Sequence, residues 1–166
     1  MSMKIILIRQ AEDGGIPADM RKGNAEAYSI YISTSCASIE TAEALFTFSE
    51  PPTETTLLDD ALQSGGGLRG WLDMRREAKH RSGQFLDMLE EKGHDSIVIC
   101  DRQAMSALMN RLRARGYLLE GGGLLPKPLE RVRATKRSLH CGGCAHNCLL
   151  SEAKCQKGQN KAKGIL

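Results

Sequence analysis

Three short aliphatic runs, each stopping at polar residues, constrain this chain more than any other feature. They are Lys4-Ile5-Ile6-Leu7-Ile8-Arg9-Gln10, Ile30-Tyr31-Ile32-Ser33-Thr34 and Ser96-Ile97-Val98-Ile99-Cys100-Asp101. All are too short to cross a membrane and have the length and β-branched content of buried strands. Helical patterns follow the second and third. Ser35 to Phe48 brings Cys36, Ile39, Ala42, Leu45 and Phe46 close to one stripe, with Pro51-Pro52 as its stop, and its Ser/Thr-rich entry suits a cap. Met105, Leu108, Met109 and Leu112 fall on one helical face that ends at Gly116. Strands alternating with helices predict an α/β fold with a mostly parallel sheet, in which polar strand ends converge where ligands bind.

The intervening segments fill in the rest. Gly14-Gly15-Ile16-Pro17 breaks the chain, Ala18 to Ala27 is expected as a short helix, and Thr56-Leu57-Leu58 as a short strand. Leu68 to Lys92 reads as helical, with Trp71, Leu72, Met74 and Ala78 in one half and Phe85, Leu86 and Leu89 in the other. Ser82-Gly83 is expected to kink or split it, and Gly93 to end it. Tyr117 to Glu120 reads as a strand, and Leu129 to Lys136 alternates like a half-buried edge strand.

Ile8-Arg9-Gln10-Ala11, Thr41-Ala42-Glu43 and Val98-Ile99-Cys100-Asp101, in that order and spacing, give residues 3 to 115 a resemblance to the histidine phosphatase superfamily, the phosphoglycerate-mutase-like group. In that group the first strand ends in Arg-His-Gly, an arginine stands four residues before Thr-Ala-Glu, and a later strand ends in Ser-His-Gly. The resemblance implies a three-layer α/β sandwich with a mostly parallel sheet over residues 1–139. It also implies a phosphate pocket built at Arg9, Gln10, Ser33, Ala37 and Asp101. Arg9 matches the first phosphate-binding arginine. Gln10 stands where the nucleophilic histidine would be, Ala37 replaces the second arginine, and Asp101 replaces the second histidine. Ala11 and Arg102 replace the glycines that follow the two histidines.

These replacements change the chemistry. A phosphohistidine needs a neutral imidazole nitrogen as nucleophile, whereas a carboxamide nitrogen has a delocalised lone pair. Loss of a single charge-stabilising donor typically costs about two to three powers of ten in rate. An ionised Asp101 beside Arg9 is expected to pair with it. The pocket therefore reads as catalytically degenerate, with no catalytic residue intact. Asp59, Asp60 and Gln63 lie where the group has its proton donor, and the sequence assigns none of them.

The other distinctive stretch is the tail, residues 140–166. Cys141, Cys144, Cys148 and Cys155 follow a C-x2-C-x3-C-x6-C spacing, four thiols suited to zinc or an iron-sulfur cluster. His140 and His146 add imidazole options. The spacing matches neither common ferredoxin pattern nor a standard zinc finger, so the metal is left open. A tail this short would need its metal to fold. Cys36 and Cys100 sit in apolar-flanked segments and read as small buried hydrophobes, and His80 and His94 as solvated side chains.

A chain of 166 residues holds one domain with a sizeable core, and aromatics at 4% make that core mostly aliphatic. The first apolar run meets Arg9 too soon for a secretory signal, so a cytoplasmic location is expected, where cysteines favour metal over disulfides. Residues 1 to 95 hold 10 Lys/Arg against 16 Asp/Glu; residues 96 to 166 hold 13 against 4. The basic second part suits an acidic or anionic partner.

Three functional readings follow. The leading one is a degenerate histidine-phosphatase-like domain with a metal-binding tail, serving binding or regulation. The second is an active phosphomonoesterase or mutase with a rewired pocket, using Asp101 and a divalent cation on a small phosphorylated ligand. The third is sequence-independent nucleic-acid binding through Arg111, Arg113, Arg115, Lys127, Arg131, Arg133, Lys136 and Arg137. It lacks the aromatics that stack bases.

Overall fold

A computed structural model describes residues 3–12, 15–60, 67–123 and 126–136, with 156 and 159–160 from the tail. Residues 3–136 form one compact unit, and 137–166 cluster as a second. The first unit runs β1 (Lys4–Arg9), β2 (Gly23–Asn24), β3 (Ser29–Ile32), α1 (Cys36–Leu45), β4 (Phe46–Thr47), β5 (Thr53–Glu54), a 3₁₀ turn (Thr56–Leu58), α2 (Gly67–Lys92), β6 (Ser96–Cys100), α3 (Arg102–Ala114), β7 (Tyr117–Glu120) and β8 (Arg131–Lys136).

The expected α/β fold is present. Six strands form a sheet in the order β5-β3-β6-β1-β8-β7. Strands β5, β3, β6 and β1 run parallel, and β8 and β7 add antiparallel pairs. All five residues of β6 are buried, as expected of a central strand covered on both faces. The alternation of β1 divides its side chains between two cores. Ile5 and Leu7 join Tyr31 and Val98 under α2 and α3, whereas Ile8 joins Ile30, Ile32, Ile97 and Ile99 under α1. Helices therefore cover both faces.

The register sets the site. Arg9 lies opposite Cys100, and Ile32 opposite Ile99, so β1, β3 and β6 end level with one another. Helices α1 and α3 start directly beyond two of these ends. Ser35 caps α1 by accepting from the Ser38 amide, and Asp101 caps α3 by accepting from the amides of Gln103 and Ala104. At the far ends, Gly93 (φ 68°) and Gly116 (φ 81°) take the left-handed backbone that closes α2 and α3.

Several local expectations give way to tertiary contacts. Residues 18–27 form turns and the two-residue strand β2, because Gly23–Asn24 pairs with Phe46–Thr47. The same pairing ends α1 at Leu45, with Phe46 already extended (φ −134°, ψ 149°). Thr56–Leu58 is a 3₁₀ turn, started by the Thr55 hydroxyl accepting from the Leu57 amide; the neighbouring strand is Thr53–Glu54. Helix α2 runs unbroken through Ser82-Gly83. Both residues are buried there, and the guanidinium of Arg111 lies against Gly83. Strand β8 is interior rather than an edge, since β7 pairs with its outer side. Cys36 is exposed on α1, while Cys100 is buried.

Candidate functional site

A cleft of about 1090 Å³ opens at the level strand ends and continues between α2 and α3. Arg9, Gln10 and Asp101 line it together with Asp60. Ser33 and Ala37 are not among the lining residues, although Ser33 supports Gln10 from behind.

Each strand-end group is already engaged inside the chain. The Gln10 backbone amide donates to Cys100 O at 2.9 Å, which ties β1 to β6. Its side-chain Oε1 accepts from Ser38 Oγ at 2.6 Å and Ser35 Oγ at 3.0 Å. Ser38 Oγ and Ser33 Oγ are 2.6 Å apart, so three serines and one carboxamide form a closed network. Next in sequence, the Ala11 amide donates to Thr41 Oγ1 at 2.9 Å, fastening α1 to the end of β1. Thr41 also donates to the carbonyl of Ala37, whose methyl brings neither charge nor donor to the site.

Arg9 does not pair with Asp101. Its Nη1 donates to Pro126 O at 2.7 Å, and its Nη2 makes a salt bridge with Glu12. Asp101 faces other partners. Its Oδ1 accepts from Gln103 N and, at 2.9 Å, from Ala104 N, and the carboxyl of Asp60 is its acidic neighbour. A neighbouring carboxyl disfavours negative charge on Asp101. Burial, and then Asp60, push Asp101 up to about 6, against the amides of α3, which stabilise its charged form. The α3 N-terminus, where an anion would otherwise be favoured, is thus occupied by the chain's own side chain.

Of the acids left unassigned by sequence, Asp59 is structural. Its two carboxylate oxygens accept from Thr34 N and Thr34 Oγ1, each at 2.7 Å, and fix the loop after β3. Asp60 is the site residue that sequence reasoning did not single out. Its signal was its place, shared with Asp59 and Gln63, where the resemblance expects a proton donor. Gln63 lies outside the described residues. Burial pushes the thiol of Cys100 well above its ordinary range, with Asp101 and Asp60 adding to the effect, so it is held as an inert thiol.

The basic residues of the second half do not share one surface role. Arg115 is paired with Asp87 and Glu90, and Lys136 with Glu90. Arg131 stacks over Phe46, and Arg111 lines the cleft. Arg137 and the four tail cysteines, Cys141, Cys144, Cys148 and Cys155, lie outside the described residues, as do His140 and His146. Among the described residues no three His, Cys, Asp or Glu side chains converge as a metal site, and no helix is long and apolar enough to cross a membrane.

Set against known proteins, the chain matches no family model. No curated protein is significantly similar to it.

Proposed function

We propose that residues 3–136 are a catalytically degenerate, histidine-phosphatase-like domain that serves binding or regulation. In this reading the four tail cysteines hold a zinc ion or an iron-sulfur cluster. The reading rests on the motif order Arg9-Gln10, Thr41-Ala42-Glu43, Cys100-Asp101, together with one observation. Arg9, Gln10 and Asp101, the strand-end groups that the resemblance places in the pocket, each have an internal partner. Arg9 is taken by Glu12 and the Pro126 carbonyl, the α3 amides by Asp101, and the Gln10 oxygen by Ser35 and Ser38. What Gln10 retains is two N-H donors, which bind but do not attack. The test is hydrolysis of an aryl phosphate by the full chain. No turnover above background is expected; turnover abolished by Arg9→Ala would overturn the reading.

A second reading is favoured by Asp60 lining the same cleft as Asp101, because a second carboxyl there is what an aspartate-based phosphomonoesterase would need to share a divalent cation. Magnesium-dependent turnover lost in Asp101→Asn would select it. For the tail, metal analysis with an absorption spectrum of protein purified without oxygen decides between the two cofactors. Stoichiometric zinc without colour selects zinc, and a visible iron-dependent band selects a cluster.

A further inference from the structure

The cleft extends well past the strand ends, and its longer part has a different character. In its second half α2 packs Phe85, Leu86 and Leu89 into the core, but in its first half Leu68, Trp71 and Leu72 are 74%, 41% and 43% exposed. The facing positions of α3 are Ser106, Ala107, Asn110 and Ala114, too small or polar to fill the gap. The result is an open groove with a tryptophan on one wall and small residues on the other.

We propose that this α2–α3 groove receives an acidic amphipathic helix of a partner protein. The proposal deepens the non-catalytic binding reading and rests on it. Charge identifies the occupant. Arg75, Arg76, Lys79, Arg102 and Arg111 line the helical walls, whereas the acids lining the cleft are Glu12, Asp60 and Asp101 at its strand-end extremity. Of those acids, Glu12 is engaged with Arg9 and Asp101 with the first amides of α3. Among the described residues, Arg75, Lys79, Arg102 and Arg111 have no carboxylate partner, and Arg76 reaches Asp73 only at 3.8 Å. Two of the cations are already positioned. Arg111 is hydrogen-bonded to Lys79 O at 3.1 Å, and the Arg75 guanidinium stacks 4.6 Å from the centre of the Trp71 ring.

Shape favours a helix over a small molecule. The volume, about 1090 Å³, lies just above the usual range for small-ligand sites, about 300–1,000 Å³. On α3 the lining positions recur every three or four residues (Arg102, Ser106, Asn110 and Ala114), the spacing into which the ridges of a third helix pack. Trp71 adds a large, partly exposed aromatic surface to the α2 wall, the kind of residue that dominates binding energy at interfaces. The same charge argues against two other occupants. A second copy would oppose one basic groove to another, and residues 137–166 carry five Lys/Arg against one Glu.

Trp71 is the sole tryptophan, so its emission reports on the groove directly in the full-length protein. The probes are a synthetic helix-forming peptide of about 14 residues with Leu on one face and Glu on the other, long enough to follow α3 at about 1.5 Å per residue; its Lys-for-Glu counterpart; and phosphatidylglycerol vesicles. The acidic peptide is expected to blue-shift Trp71 emission saturably, with affinity falling about tenfold or more between roughly 50 and 500 mM salt. Lys79→Glu and Arg102→Glu should each weaken it about fivefold or more while thermal melting stays unchanged. Equal binding of the basic peptide, no saturable shift, or a shift with vesicles alone would overturn the proposal. Aryl-phosphate hydrolysis, measured alongside, separates the two claims. Turnover with peptide binding intact overturns only the non-catalytic reading; absence of both overturns only the groove.

Discussion

Gln10 and Ser38 meet at 2.6 Å, the side-chain oxygen of one accepting from the hydroxyl of the other at the level end of β1. Ser38 is fully buried, so this hydroxyl has no water to fall back on. The contact makes Gln10 a structural bridge between β1 and α1.

Replacing Gln10 by Leu should therefore destabilise the domain by about 1–2 kcal/mol, the usual effect of leaving a buried hydroxyl short of a partner. Ser38→Ala should do the same. Because the two side chains share one interaction, the double variant should lose less than the two singles together. Chemical denaturation of all four proteins measures this. Strictly additive losses would show that the contact contributes nothing.

Asp101 carries a pH signature with a defined sign. Its carboxyl, pushed up to about 6 from an ordinary 3.8, binds a proton more tightly in the folded than in the unfolded chain. That contribution is fully present below about pH 4 and is lost as pH rises through about 6. Asp101→Asn keeps a cap residue for α3 but removes the titration. Relative to the variant, the wild type should lose stability from pH 4 to pH 7 in thermal melts. A constant difference between the two curves would contradict the assignment.

Gly83 offers a stabilising change in the interior of α2. A Cβ there would meet Arg111 Nη2 at 3.5 Å, ordinary van der Waals contact. Gly83→Ala should raise stability by about 0.5–1 kcal/mol, since glycine is the poorer helix former by roughly that amount. A loss in equilibrium unfolding would mean that Arg111 cannot yield.

For the tail, purified protein should carry about one metal centre per chain if the four thiols act together. Cys144→Ser and Cys148→Ser should each reduce that content. Chelation should leave the far-UV circular dichroism of the α/β domain largely intact, because both of its cores are built from residues before 137. Full metal retention in both variants would remove the cysteines as ligands.

Much of the scaffold was legible because it depends on local patterns. The aliphatic runs at Ile5–Ile8 and Ile97–Ile99, the stripe Met105-Leu108-Met109-Leu112 and the terminators Gly93 and Gly116 each carry their reason within a few residues. The misread segments are those whose partners lie elsewhere in the chain. Ala18 to Ala27 has a composition open to helix, but Gly23–Asn24 finds Phe46–Thr47. The alternation of β8 is the same for an edge or an interior strand, and only β7 on its outer side distinguishes them. The Ser82-Gly83 pair looked like a break, yet the helix is held there by Arg115 donating to the carbonyl of Gly83 and by burial of both residues.

At the site the division is sharper. The sequence by itself determined which chemical groups are available: a carboxamide at Gln10 and a carboxyl at Asp101 beyond the strand ends, and a methyl at Ala37 on α1. That is a matter of covalent identity, and no folding can alter it. Only the tertiary structure decided which group each one faces. Arg9 reaches a carbonyl 117 residues away, because a long polar side chain leaving water takes whichever partner the packed backbone brings within about 3 Å.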